Sequence, residues 1–204
     1  SRPTAEVDEA RLARAFARID EVNGDDPNTI EVDGVERPKE LAHAELMTAW
    51  VRRLVPDAGA AQLLAARAHH LRRWSIPRAD FPEGRAGYLR WRRTLNRQHA
   101  EEVAGLLEAE GYDPAVVAQV QAIIRKEHLK TDPATQTHED ALCLVFLSTQ
   151  LGPVAEDLGG EKAWDVLVKT VAKMSPRGRQ VALGLGLDPA HQALVDAATA
   201  AVEG

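Results

Sequence analysis

Five of the seven histidines in this 204-residue chain recur at spacings that can build a metal site. His43 and His69 are 26 residues apart, His70 and His99 are 29 apart, and His99 and His128 are again 29 apart, each about one helical hairpin. A single histidine on a helix is ordinarily a packed or solvated residue. Taken together, imidazoles from successive helices are a standard way to assemble a metal centre inside a bundle. Asp140, within His138-Glu139-Asp140, adds an oxygen ligand. Such a nitrogen-rich set suits one divalent transition metal, and Fe, Mn, Ni and Zn all satisfy it. The candidate metal ligands are therefore His43, His69, His70, His99, His128 and Asp140. His99 can alternatively hold a second metal or act as a proton donor, and Glu127 is a further acid-base candidate. His138 reads as a first-turn or supporting residue and His191 as a surface one.

A second concentration of chemistry lies between positions 67 and 97. It holds nine arginines, no lysine and two acids, a net of +7 inside a chain whose overall net charge is −6. Planar guanidiniums bind phosphate or carboxylate bidentately, which a lysine ammonium does not do. Arg73, Arg78, Arg85, Tyr88 and Arg92 are the candidate substrate-binding residues. Trp74, Tyr88 and Trp91 can stack on a substrate or simply carry the arginine stems. The stretch begins beside His69-His70 and ends just before His99, so the segment 77–87, with two prolines and two glycines, is expected at the mouth of the site.

These residues need helices to hold them. Apolar periodicity near 3.6 predicts helices over 6–22, 38–54, 60–74, 86–110, 114–129, 136–151, 161–174, a short one from 176, and 188–202. Asp-Pro and Ser-Pro pairs open several of them. The segment 29–35 is read as a loop despite its Asp33-Gly34 pair. The expected fold is all-α, a single-domain helical bundle over 1–204 with a core at about 6–183 and a C-terminal helix at 188–202.

Composition narrows the function. Aromatics make up 4% of the chain and hydrophobic residues 45%, a balance that favours helices over an all-β fold. The net charge of −6 disfavours a protein that coats nucleic acid. The longest apolar run, 141–147, has seven residues where a spanning helix needs about 20, so no membrane partner is expected. The single cysteine, Cys143, reads as a buried thiol, and with no leader pattern at the start the expected location is the cytoplasm.

His43-Ala44-Glu45-Leu46-Met47-Thr48, then Ala65-Ala66-Arg67-Ala68-His69-His70-Leu71, then His99, His128 and Glu139-Asp140-Ala141, resemble in order the motifs of the HD superfamily. These are helical metal-dependent phosphohydrolases with oxygenase relatives. The family pattern places a histidine on one helix, a His-Asp pair at the end of another, optional further histidines and a late aspartate. Here His70 stands where that pattern has its aspartate, which removes a carboxylate able to bridge two metals and points to a mononuclear site. Arg73-Trp74-Ser75-Ile76-Pro77-Arg78, Gly87-Tyr88-Leu89-Arg90-Trp91-Arg92, His99-Ala100 and Glu139-Asp140 before Leu142-Cys143-Leu144-Val145-Phe146-Leu147 resemble domain-of-unknown-function family 4202 over about 16–183. The resemblance to the HD superfamily implies an HD-domain-like hydrolase that cleaves a phosphoester in a small anionic substrate. A mononuclear iron oxygenase and a non-catalytic helical binding protein are the alternatives.

Overall fold

Asp8 sets the first helix: its carboxylate accepts the Arg11 amide hydrogen at 2.9 Å and caps α1 (Glu9–Gly24). The computed structural model describes residues 7–204. Among them the chain is all-α apart from one two-stranded hairpin, and it divides into two compact units, one ending at His128 and the other running from Leu129 to Gly204. Among the described residues no single helix is long and apolar enough to cross a membrane.

The hairpin corrects the reading of 29–35 as a loop. Strands β1 (Thr29–Val32) and β2 (Val35–Pro38) pair antiparallel, with Ile30 opposite Arg37 and Val32 opposite Val35. Asp33 and Gly34 both take positive φ, 51° and 78°, as a tight two-residue hairpin turn demands. The strands are only four residues each and largely exposed, so the apolar alternation that would announce them is weak. Their exit leads directly into α2 (Lys39–Leu54), which carries the first candidate ligand. The start of α2 is held by Asp26, 6% exposed: its Oδ1 accepts from the Asn28 amide and its Oδ2 from the Glu40 amide, both at 2.9 Å. Two of the bare donors of that helix region are thereby satisfied, as Lys39 N also donates to Asn28 O at 2.9 Å.

Helix α3 (Ala60–Ala68) is the centre of the first unit and packs against α1, α2 and α5 (Pro114–Ile124). Its alanines allow close approach, and Leu63, Leu64, Ala65 and Ala66 are all buried. Expected to continue to 74, it stops at Ala68 because the next residues turn: Arg72 is left-handed at φ 53°, and a 3₁₀ turn follows at Arg73–Ser75. A second 3₁₀ turn, Arg78–Asp80, precedes α4 (Gly84–Ala109), which lies against α5. Helix α5 likewise ends earlier than position 129, at Ile124, and Lys126 and His128 adopt positive φ in the turns beyond it.

In the second unit, Asp132 caps α6 (Pro133–Thr149) by accepting the Ala134 amide at 2.9 Å. Helix α7 (Leu151–Leu158) occupies a segment expected to be a connection, its Gly152-Pro153 falling at the first turn, where proline is tolerated. Helices α8 (Gly160–Lys173), α9 (Pro176–Leu183) and α10 (Pro189–Glu203) complete the unit. Leu144, Leu167, Val171 and Val195 are fully buried in it, and Cys143 is buried as expected.

One close approach fixes the 77–87 segment. A Cβ placed on Gly87 would stand 1.8 Å from the Pro82 carbonyl oxygen, so only glycine lets the loop close on α4. Gly105, on the same helix, has nothing within 4 Å of its virtual Cβ. Gly87→Ala should therefore lower stability by about 2 kcal/mol or more, while Gly105→Ala should raise it by about 0.5–1 kcal/mol. Urea unfolding of the two variants checks the opposite signs.

Candidate metal centre

Helix α2 places Glu40 and His43 one turn apart on its inner face, and the turn after α3 swings His70 toward them. Glu40 Oε2 lies 3.3 Å from His70 Nδ1 and 3.9 Å from His43 Nδ1, and one ligand atom from each residue falls within 4.8 Å of the others. Glu40 and His43 are each 4% exposed, whereas the His70 side chain keeps 23% of its surface open. Solvent therefore touches the triad through His70.

Glu40 Oε2 is buried and makes no hydrogen bond of normal geometry, although His70 Nδ1 is close. His70 Nδ1 is also 3.5 Å from Arg73 Nη1. A carboxylate oxygen and imidazole nitrogens gathered this closely away from water form a donor set that a divalent cation can fill.

Burial governs the protonation states. It raises the Glu40 carboxyl above its ordinary range, against the opposing pull of His43, Arg73, Lys39 and His99. It lowers the His43 ring even though Glu40 favours the charged form. It holds His70 well below the usual histidine value, with Arg73, His99 and His43 adding to the effect. His99 is pushed down to about 4, chiefly by burial and secondly by Arg73, while a Leu71 backbone contact works the other way. Near neutral pH these rings are therefore neutral, the form in which imidazole ligates a metal.

Three donors gathered within 4.8 Å could hold a metal ion, and the 3.3 Å Glu40–His70 separation is that of a ligand–ligand edge. Tetrahedral zinc with bonds of about 2.0–2.1 Å has ligand–ligand edges of about 3.3–3.4 Å. Two nitrogens and one carboxylate form a catalytic zinc set, and also the set used by mononuclear iron sites with open positions.

The remaining sequence candidates distribute as follows. His69 is buried, its ring centroid 3.9 Å from that of His70, and its Nδ1–H donates to Ala66 O at 3.0 Å, which makes Nε2 the basic nitrogen. His99 is 2% exposed on α4, its ring centroid 6.0 Å from that of His70. Glu127 and His128 lie exposed beyond α5, outside the triad, with Glu127 paired to Arg125 at 2.9 Å. Asp140 belongs to the second unit. There it accepts hydrogen bonds from the Ser175 amide at 2.8 Å, the Ser175 hydroxyl at 2.5 Å and Gln136 Nε2 at 3.0 Å, and so anchors the start of α9. His138 is buried on α6, and His191 pairs with Asp188 at the start of α10.

Of the arginines, Arg73 stands over the Trp91 ring at 5.2 Å, and Arg92 donates to the Tyr88 hydroxyl at 3.1 Å. Arg78 instead donates to Phe81 O at 2.9 Å within its own turn, and Arg85 is exposed at the start of α4. Glu40 is the residue that sequence reasoning missed. Its signal was present as Glu-x-x-His, the three-residue spacing that places both side chains on one helix face.

Fold and site together define an all-α protein carrying a candidate metal centre of two histidines and one glutamate. The chain matches, over residues 13–195, the family described as Domain of unknown function (DUF4202), and it belongs to that family. No curated protein and no solved structure matches it.

The depressed His99 gives a signed prediction for stability. Its folded value near 4 lies below the unfolded value of about 6.5, so the unfolded chain takes up the proton first and stability falls as pH drops from about 6.5 toward 4. The loss should reach about 3 kcal/mol at the acid end, and His99→Gln should flatten the slope by that amount. Denaturant titrations of both proteins at several pH values measure it, and parallel slopes would contradict the burial argument.

Proposed function

We propose that this protein is a metal-dependent hydrolase of HD-like fold that cleaves a phosphoester in a small anionic substrate. Glu40, His43 and His70 hold one divalent transition metal, with Mn, Fe, Ni and Zn compatible with the donors. The observation that carries the reading is the buried Glu40 Oε2 lying 3.3 Å from His70 Nδ1 and 3.9 Å from His43 Nδ1, three ligand atoms within 4.8 Å of one another.

The order of histidines along the chain supports the HD-like part of the proposal. Where that pattern has an aspartate this chain has His70, and Glu40 supplies a carboxylate to the same cluster. Charge is thus restored from α2, one turn before His43. A bound divalent metal supplies Lewis acidity toward a phosphoryl oxygen and lowers the pKa of a water. The chain's own residues do the rest. Arg73, against His70 Nδ1, holds the substrate anion beside the triad. His99 is neutral near pH 7, and its ring centroid is 6.0 Å from that of His70.

A mononuclear iron oxygenase is the second reading, favoured specifically by the two-histidine, one-carboxylate donor set. Inorganic phosphate released without oxygen from a panel of phosphoesters supports hydrolysis. Substrate-dependent oxygen uptake by the Fe(II) protein supports oxidation.

For the centre itself, tag-free protein should bind about one metal per chain, and Glu40→Gln or His70→Ala should weaken that binding by more than about tenfold. Elemental analysis after dialysis measures both. Wild-type protein that stays metal-free after reconstitution with each candidate metal would overturn the proposal.

A further inference from the structure

Two guanidiniums near the triad have no carboxylate within ion-pair distance. Arg73 Nη1 is 3.5 Å from His70 Nδ1, and its guanidinium lies over Trp91, whose indole N–H is fixed by a 2.9 Å hydrogen bond to Ile76 O. Arg92, one residue further along α4, donates to Tyr88 Oη at 3.1 Å, and the Tyr88 and Trp91 rings are 5.9 Å apart. Among the described residues neither arginine has an acidic group within ion-pair distance. Burial disfavours the Arg73 charge, Glu40 favours it and Arg92 works against it. Two other arginines of the stretch meet acids and a third a carbonyl. Arg67 is bonded twice to Asp20, Arg72 pairs with Glu102, and Arg78 is spent on Phe81 O.

We propose that Arg73 and Arg92, carried on the Trp91–Tyr88 aromatic pair, form a subsite that selects a terminal, doubly charged phosphomonoester over a singly charged phosphodiester. This inference rests on the reading of Glu40, His43 and His70 as the reaction centre and specifies what that centre acts on. The stereochemistry follows from counting oxygens. A monoester offers three terminal oxygens, one each for Arg73, Arg92 and the triad, whereas a diester offers two. Charge leads the same way. The ester dianion carries about −1.5 to −2 near neutral pH and matches two guanidiniums, while the diester leaves one of them uncompensated. The Tyr88 hydroxyl accepts from Arg92 and keeps its own hydrogen to donate to the same anion. Its ring is 42% exposed and gives the organic part of the ester a flat surface.

Phenylphosphonate and its monomethyl ester test this, because neither has a P–O–aryl bond to lose and they differ by one charge and one terminal oxygen. Calorimetric titration of the full-length, tag-free, manganese-loaded protein at mildly alkaline pH should give at least about tenfold tighter binding of the dianion. Arg92→Gln should cost about 10- to 100-fold in dianion affinity, the loss of one charge-assisted hydrogen bond, and erase most of the preference. Arg92→Lys should recover only part of it, and manganese content should be unchanged in both variants. Equal affinity for the two ligands, or an Arg92→Gln protein that still prefers the dianion, overturns the proposal while leaving the metal reading intact if manganese is bound. Dianion binding that is lost in Arg92→Gln but occurs on a chain that holds no metal retains the subsite and overturns the metal reading. Binding of neither metal nor phosphonate overturns both.

Discussion

Everything around the candidate centre follows from one costly arrangement: a glutamate oxygen, buried on α2, that faces two imidazole nitrogens and has no hydrogen bond of its own. A carboxylate withdrawn from water is destabilised by several kcal/mol unless an opposite charge or strong donors meet it. Here the nearest candidates are rings that burial keeps neutral. The surroundings therefore gather one carboxylate and two neutral imidazoles around one point. A divalent cation resolves that conflict for all three groups at once. An all-hydrocarbon core in the same place would have cost the chain less, so the arrangement is read as functional.

The rest of the first unit serves to hold those three side chains. Asp26 ties down the α2 amide at Glu40, so the carboxylate comes from the most constrained turn of its helix. On the other side, α3 must end at Ala68 for His69 and His70 to turn inward together, and the left-handed Arg72 is where the chain makes that departure. A non-glycine residue in this conformation is uncommon and costs about 1–2 kcal/mol, a strain held in place by the surrounding contacts. The following loop then doubles back. Ile76 O fixes Trp91, and Gly87 permits the approach of Pro82, which together bring Arg73 and the first turns of α4 to the mouth of the site. The arginine-rich stretch and the histidine cluster are thus one construction.

Much of this was legible in the residues. Helical periodicity and the proline and aspartate caps placed nearly every helix, and the all-α class followed. What failed did so for identifiable reasons. The hairpin at 29–38 has strands too short and exposed to alternate clearly, and Asp33-Gly34 was its only sharp signal. The end of α3 was set by tertiary placement of His69 and His70, which local propensity does not encode. Histidine spacing brought His43 and His70 into consideration, and the structure unites them. It gave no weight to Glu40, because acidic residues are common on helices and Glu-x-x-His is informative only once both side chains are known to face inward. His128 shared the same 29-residue spacing, but α5 ends at Ile124 and leaves it exposed in a turn. Asp140 was proposed from its place in the order of residues. Its carboxylate is taken by Ser175 and Gln136, a local role at the start of α9 that sequence order does not reveal.

The most direct test of the central claim is a crystal of the protein grown with manganese or zinc and measured on both sides of the metal's absorption edge. The account predicts one strong anomalous difference peak within about 2.0–2.3 Å of Glu40 Oε2 and of a ring nitrogen in each of His43 and His70. A metal found elsewhere, or a Glu40 carboxylate hydrogen-bonded directly to a protonated imidazole with no peak between them, would contradict it.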